Sequence, residues 1–247
     1  DTSALALPRD LLSMSDFGSA ISAAFSLVIS LNPDLMEIVL LSLRVSLTAV
    51  LLATAIALPL GAVLGLFRFP GRGIVISVLN ALMGLPPVVV GLIVYLLLSR
   101  SGPLGVLGLL FTPTAMVIAQ VVLVTPIVAA LTRQVVEDLW VEYAEELRSL
   151  GAKPGRALMT LLWDSRFTLM TAVLAGFGRA SAEVGAVMIV GGNIDHVTRV
   201  MTTAIALEVS KGDLPLALGL GMILIVISMG VNGTAFALKE AAQRRHA

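Results

Sequence analysis

The sequence predicts an all-α membrane protein with five transmembrane helices. Three observations carry that expectation. Of 247 residues, 57% are hydrophobic and 13% are charged, which leaves far more apolar surface than a soluble domain can hide. Mean hydropathy is +1.00. The apolar residues are also gathered into stretches of about 20 or more, the length that crosses roughly 30 Å of hydrocarbon. In that medium only helices and closed barrels satisfy the backbone internally, and unbroken runs of this length read as helices.

In chain order the expected spans are Leu35–Phe67, Ile74–Leu98, Pro113–Leu131, Phe167–Val190 and Leu214–Leu238. Phe17–Leu31 is shorter and carries Ser22 and Ser26, so it is expected as a helix lying in the interface, with a sixth, short span as the alternative. No basic segment precedes Ile21–Leu31, so no cleavable signal peptide is expected. The chain divides into an N-terminal external or interfacial segment, 1–33, and one membrane domain, 34–247. No fixed-period repeat and no low-complexity linker subdivides it.

Basic residues orient the spans, since they concentrate on the cytoplasmic side. Arg68, Arg72, Arg133, Arg148, Lys153, Arg156, Arg166, Lys239, Arg244 and Arg245 fall on one side; Arg9, Arg100, Arg199 and Lys211 fall on the other. The first set marks the cytoplasm, which places the loop at about 132–166 and the C-terminus inside. Arg44 and Arg179 lie within spans. Formal net charge is zero, which gives no reason to expect nucleic-acid binding. The absence of cysteine removes disulfides, thiolate metal sites and cysteine nucleophiles.

The loop at 132–166 carries the densest information. Val136, Leu139, Trp140, Tyr143, Leu147 and Leu150 recur at helical spacing, while Glu137, Asp138, Glu142, Glu145 and Glu146 mostly take the other side. An acidic amphipathic helix is expected from Val136. Gly151 suits the left-handed residue that ends such a helix, and Pro154 suits the first turn of a second helix towards Trp163. A short helix across the membrane surface follows, and by itself this pattern fits either a docking surface or a solvated connector.

Glu145, Gly151 and the run to Leu161-Leu162-Trp163-Asp164 resemble the cytoplasmic EAA loop of ATP-binding-cassette importer permeases. Glu146 and Leu147 stand where that pattern has alanines, and Asp164 replaces its proline. Gly178-Arg179-Ala180-Ser181-Ala182-Glu183-Val184-Gly185 through Gly191-Gly192-Asn193-Ile194, and Thr198-Arg199-Val200-Met201-Thr202-Thr203, are similar to the tungstate branch of the molybdate, tungstate and sulfate importers. The resemblance spans roughly Asp34 to Leu238. It implies a homodimer, a cytoplasmic ATPase subunit seated on Glu142, Glu145, Glu146, Leu147, Leu150, Gly151 and Ala152, and an external solute-binding protein. It also implies that magnesium-ATP is bound by the partner and that no cofactor is bound here. The chain has no Gly-Lys pair, hence no phosphate-binding loop of its own.

Within the spans, Pro86 and Pro87 remove backbone donors and disfavour helix for the preceding residue. Such a break at membrane depth is tolerated against protein or water and commonly flanks a transport path. Arg179 and Glu183, four residues apart, are positioned to pair at a depth where a lone charge costs about 2.5–3.5 kcal/mol; a gate element and a purely structural ion pair both fit them. Asn80, Thr125, Ser181 and Asn193 are polar candidates for a path that must release its anion as well as bind it. Pro59 and Pro126 read as ordinary kinks, Arg44 has no partner visible in sequence, and the lone His196 gives no metal site. The favoured function is an oxyanion importer permease of the plasma or inner membrane, for tungstate first, with molybdate or another oxyanion as alternative. A nucleotide-independent secondary transporter would show an inverted repeat, and none is visible. An intramembrane enzyme would need a His-Glu-x-x-His, Gly-x-Ser-x-Gly or paired-carboxylate motif, and the sequence has none.

Overall fold

A computed structural model describes residues 33–244 together with Ser22 and Ser26. The expected interfacial helix at 17–31 and its short-span alternative lie outside the described residues apart from those two serines, both helical. Nine α-helices follow among the described residues: α1 Pro33–Leu66, α2 Arg72–Met83, α3 Pro87–Leu98, α4 Pro113–Ser149, α5 Pro154–Asp164, α6 Arg166–Ser181, α7 Gly185–Gly191, α8 Met201–Lys211 and α9 Leu214–Arg244. Three helices are long and apolar enough to cross a bilayer alone, and counting each of two bent pairs as one span brings the number to five. The described residues fold as helices without strands, and the chain is a multi-pass membrane protein.

The helix pair α1 and α4 forms the spine. Ala49, Ala53, Ala57, Gly61 and Gly65 recur every four residues on the buried face of α1. Small residues at that spacing let two backbones approach closely. A Cβ on Gly61 would lie 2.4 Å from the Ala129 carbonyl oxygen, and one on Gly65 would lie 2.9 Å from that of Arg133. The apolar core runs along this spine. At one end Leu35 and Val39 meet Met201, Ala204 and Leu220. Deeper in, Val45 packs with α3, α4 and α7, and then Val50, Ala53 and Ala57 pack with α4 and α6. At the other end Ala62 and Leu66 meet Val136 and Leu161.

Two sequence expectations change, and the expected break at Pro86 and Pro87 is present. Ile74–Leu98 is two 12-residue helices bent by 102° around Gly84-Leu85-Pro86, because Pro86 and Pro87 leave no donors to carry the ladder across. Phe167–Val190 also divides, with α6 ending at Ser181 and α7 starting at Gly185. Pro113–Leu131 and the acidic helix from Val136 are one 37-residue helix, about 55 Å long. The change from apolar to charged near Thr132 contains no helix breaker, so α4 continues out of the hydrocarbon. A further helix, α8, occupies part of what reads as loop between the fourth and fifth spans.

Candidate functional site

At the Gly151 end, α4 projects, turns at Leu150–Lys153 and continues as α5, which meets α6 at 72°. Gly151 has φ +67°, its N–H donates to the Arg148 carbonyl, and the Ala152 N–H donates to that of Leu147. This paired closure of a helix end requires the left-handed residue that glycine supplies. Pro154 opens α5.

The turn separates inward from outward residues. Leu147, half-buried, packs like Leu139, Trp140, Leu158 and Leu162 against buried Val136 and Leu161, so it holds α5 against α4. Glu142, Glu145, Glu146 and Gly151 are exposed, and Ala152 is half-buried. Leu150 is 75% exposed, Met159 69% and Trp163 71%. Three large apolar side chains therefore stand out beside an acidic helix face. Met159 and Trp163 were not singled out from sequence as contact residues. Their signal was present: with Ala157 and Leu161 inward, positions 159 and 163 fall on the outer face of α5. Arg166 lies over the Trp163 ring at 4.8 Å and donates to the Trp163 carbonyl at 2.7 Å, which fixes the ring's setting.

Midway along the molecule the two helix breaks meet. A Cβ on Gly91 of α3 would come within 2.7 Å of the Ala186 Cα, and one on Gly185 within 2.8 Å of Val88 Cγ2. The start of α3 therefore crosses the start of α7 at glycine distance, beside Pro86 and Pro87. The break at 182–184 is held by side chains. Gln120 Nε2 of α4 donates to the Ala180 carbonyl at 3.1 Å, and Thr202 Oγ1 of α8 donates to that of Glu183 at 2.8 Å. Glu183 is 3% exposed; its carboxylate pairs with Arg179 and accepts the Ala186 N–H at 2.9 Å, at the open end of α7. The carbonyls that a helix break frees are thus answered, as burial demands.

Beside this junction Ser181 lines a cleft of about 20 Å³ with Ser42, Ser46, Gln120, Glu183 and Thr202. Four of the sequence candidates, Pro86, Pro87, Arg179 and Glu183, converge at or next to this junction, and Ser181 joins them. Gln120, Thr202 and the two α1 serines were missed, although a glutamine inside Ala115–Val124 is an evident polar interruption. Asn193 lies elsewhere, at the far end of α7, where it takes φ +50° and its amide donates to the Thr203 carbonyl. Thr125 bonds the Val121 carbonyl of its own helix, and Asn80 is exposed on α2.

The His196 end carries a cavity of about 340 Å³ lined by Asp34, Glu37, Asp195, His196, Arg199, Glu208 and Asp213 among apolar residues of α1 and α9. His196 Nδ1 lies 2.8 Å from Glu37, joining the 192–200 turn to α1. That hydrogen bond, followed by the negative charges of Asp195 and Glu37, raises the His196 pKa above its ordinary value.

The comparisons agree with this architecture. Residues 57–245 match the family described as binding-protein-dependent transport system inner membrane component. A tungstate uptake system permease protein of Peptoclostridium acidaminophilum is 42% identical over 218 residues, 88% of this chain and 96% of that protein. A probable anion transporter permease of the ATP-binding-cassette class from Haloferax volcanii is 38% identical over 217 residues, 86% of this chain and 94% of the relative. A tungstate uptake permease of Campylobacter jejuni is 38% identical over 174 residues, 70% and 73% of the two chains. A helix-turn-helix projecting from a multi-pass helical domain, matched over most of its length, makes this chain a member of the binding-protein-dependent transport system inner membrane component family.

Proposed function

We propose that this chain is the membrane-spanning subunit of a tungstate importer. Two copies pair about a twofold axis, each receiving one cytoplasmic ATPase subunit, and an external binding protein delivers the anion. The observation that carries the proposal is the element at 150–164: a glycine-closed turn and a short helix that present Leu150, Met159 and Trp163 beside an acidic face. An exposed apolar patch of this kind on a short surface helix fits a groove in another protein. Closure of that partner would move α5 and α4 together, because Leu147 and Leu161 join them through one core. The substrate rests on the relatives named for tungstate uptake. Molybdate is the second reading, since the two anions share shape and charge and the relative from Haloferax volcanii is named only for an anion.

The Gly151 end and the C-terminus are cytoplasmic in this reading and the His196 end is external. Cysteine at position 153 should then be shielded from a membrane-impermeant thiol reagent in intact cells, and cysteine at 211 should react; the reverse pattern inverts the topology. With no native cysteine the labelling is clean.

Binding energy for the anion is concentrated in the external protein, so the loaded binding protein should favour the conformation on which the ATPases close. Proteoliposomes containing the assembled importer should hydrolyse ATP faster with binding protein carrying tungstate or molybdate than with empty protein or protein offered sulfate. Stimulation by sulfate alone would remove the substrate assignment. Uptake by the purified chain without any ATPase would remove the importer assignment as well.

A further inference from the structure

Arg72 breaks a local rule. It is the first residue of α2, where the helix N-terminus disfavours a cation, and Gly71 before it, at φ +83°, contributes no side-chain cap. Residues that violate local preference are held by something non-local. Arg72 Nη2 lies 2.9 Å from Glu137 Oε1 and Arg72 Nε donates to the Leu64 carbonyl at 2.8 Å. Arg133 holds the other oxygen of the same carboxylate. One guanidinium therefore links the last turn of α1, the first turn of α2 and the projecting part of α4, with Arg72 only 17% and Glu137 28% exposed.

The position of this link decides what it can do. α1 and α4 already move as one body, since Gly61 and Gly65 bring them into backbone contact. α2 joins that body covalently only through 67–71, which ends in the positive-φ glycine. Further along, α2 meets the same body through Leu79, buried among Val50, Leu64, Val124 and Val128, so Arg72 is the tie at its first turn. With it, displacement of α4 beside the Leu150–Lys153 turn is carried into α2, and α2 leads through the 102° bend to α3, which crosses α7 at Gly91 and Ala186.

We infer that Arg72, acting through Glu137, is the positioning residue that couples the α4–α5 element to the junction of the broken helices. The inference rests on the proposed docking of an ATPase at α5 and deepens it.

The test uses the assembled importer in proteoliposomes, with binding protein carrying tungstate. Wild-type chain that neither retains the ATPase nor shows stimulated turnover overturns the docking reading, and this inference with it. Given a stimulated wild type, Arg72→Gln should retain the ATPase on copurification and its unstimulated turnover. Stimulation and uptake should fall by roughly tenfold, within the span typical of coupled sites. Glu137→Gln should behave alike, and the double variant should be no worse than either single, because both remove one link. Arg72→Lys should recover most of the stimulation. Cysteines at 72 and 137 joined by a bifunctional thiol reagent should recover it without charge, which a role in folding alone would not produce. Full stimulation in Arg72→Gln, or parallel loss of ATPase binding and stimulation that neither lysine nor the cross-link restores, overturns the inference and leaves the docking reading standing.

Discussion

Glu183→Ala will destabilise the purified chain by about 4 kcal/mol and abolish uptake. Breaking a buried ion pair typically costs about 3–5 kcal/mol because the surviving charge is left uncompensated. The low end applies because Arg179 keeps 28% of its side chain exposed. Loss of an N-terminal cap adds about 1 kcal/mol, since the Ala186 N–H at the start of α7 loses its acceptor. Gln120 and Thr202 would still hold the adjacent carbonyls, but the first turn of α7 would keep only its apolar packing where it meets Gly91. Glu183→Gln separates the two contributions. Glutamine keeps an acceptor for Ala186 and gives up the charge, so its loss should be smaller in unfolding experiments. If Glu183→Ala in detergent unfolds at the wild-type midpoint and supports uptake, the carboxylate is not what holds the break.

This junction also marks where sequence reading stops. The break at Pro86 and Pro87 is legible because proline acts on its own backbone and that of its neighbour. The break at 182–184 falls in Ala-Glu-Val, which contains no breaker. It is made by tertiary contacts: Gln120 comes from 60 positions away and Thr202 from 19 positions after Glu183. Pairing of Arg179 with Glu183 was foreseeable from an i,i+4 spacing, yet Glu183 is not on the same helix. Its second role, accepting from α7, appears only once the break is known.

The spans were legible from hydropathy, which reports the solvent and says little of continuity within it. Hence α4 was divided where its environment changes while its backbone does not, and the break at 182–184 was passed over where the environment is constant and the backbone turns. The exposed and buried faces of the Gly151 element split along the same line. Its acidic residues were recognised because charge stays in water. Leu147 and Leu150 look alike in sequence, but α5 folds back over only one of them, and that depends on the direction in which the turn at Gly151 sends the chain.

Gly151→Val is therefore expected to leave the membrane domain folded and to uncouple it. A Cβ at this position meets nothing within 4 Å, so steric crowding is not the cause. The effect comes from φ +67°, which costs an ordinary L-residue about 1–2 kcal/mol and is a genuine outlier for a β-branched one. The strain is relieved by opening the turn, with loss of the bonds from Gly151 to Arg148 and from Ala152 to Leu147. That redirects α5, and Met159 and Trp163 no longer stand in register with Leu150. The ATPase should copurify weakly, and uptake should fall at least about tenfold, which corresponds to roughly 1.4 kcal/mol of docking energy. Gly151→Asn is the control, because asparagine tolerates the left-handed region and the site has room for its side chain. Asparagine should retain most of the uptake and most of the bound ATPase. Equal loss in both variants would show that glycine is needed there for close approach of a partner, with the turn itself unaffected; normal uptake and normal copurification in Gly151→Val would remove the turn from the coupling element altogether.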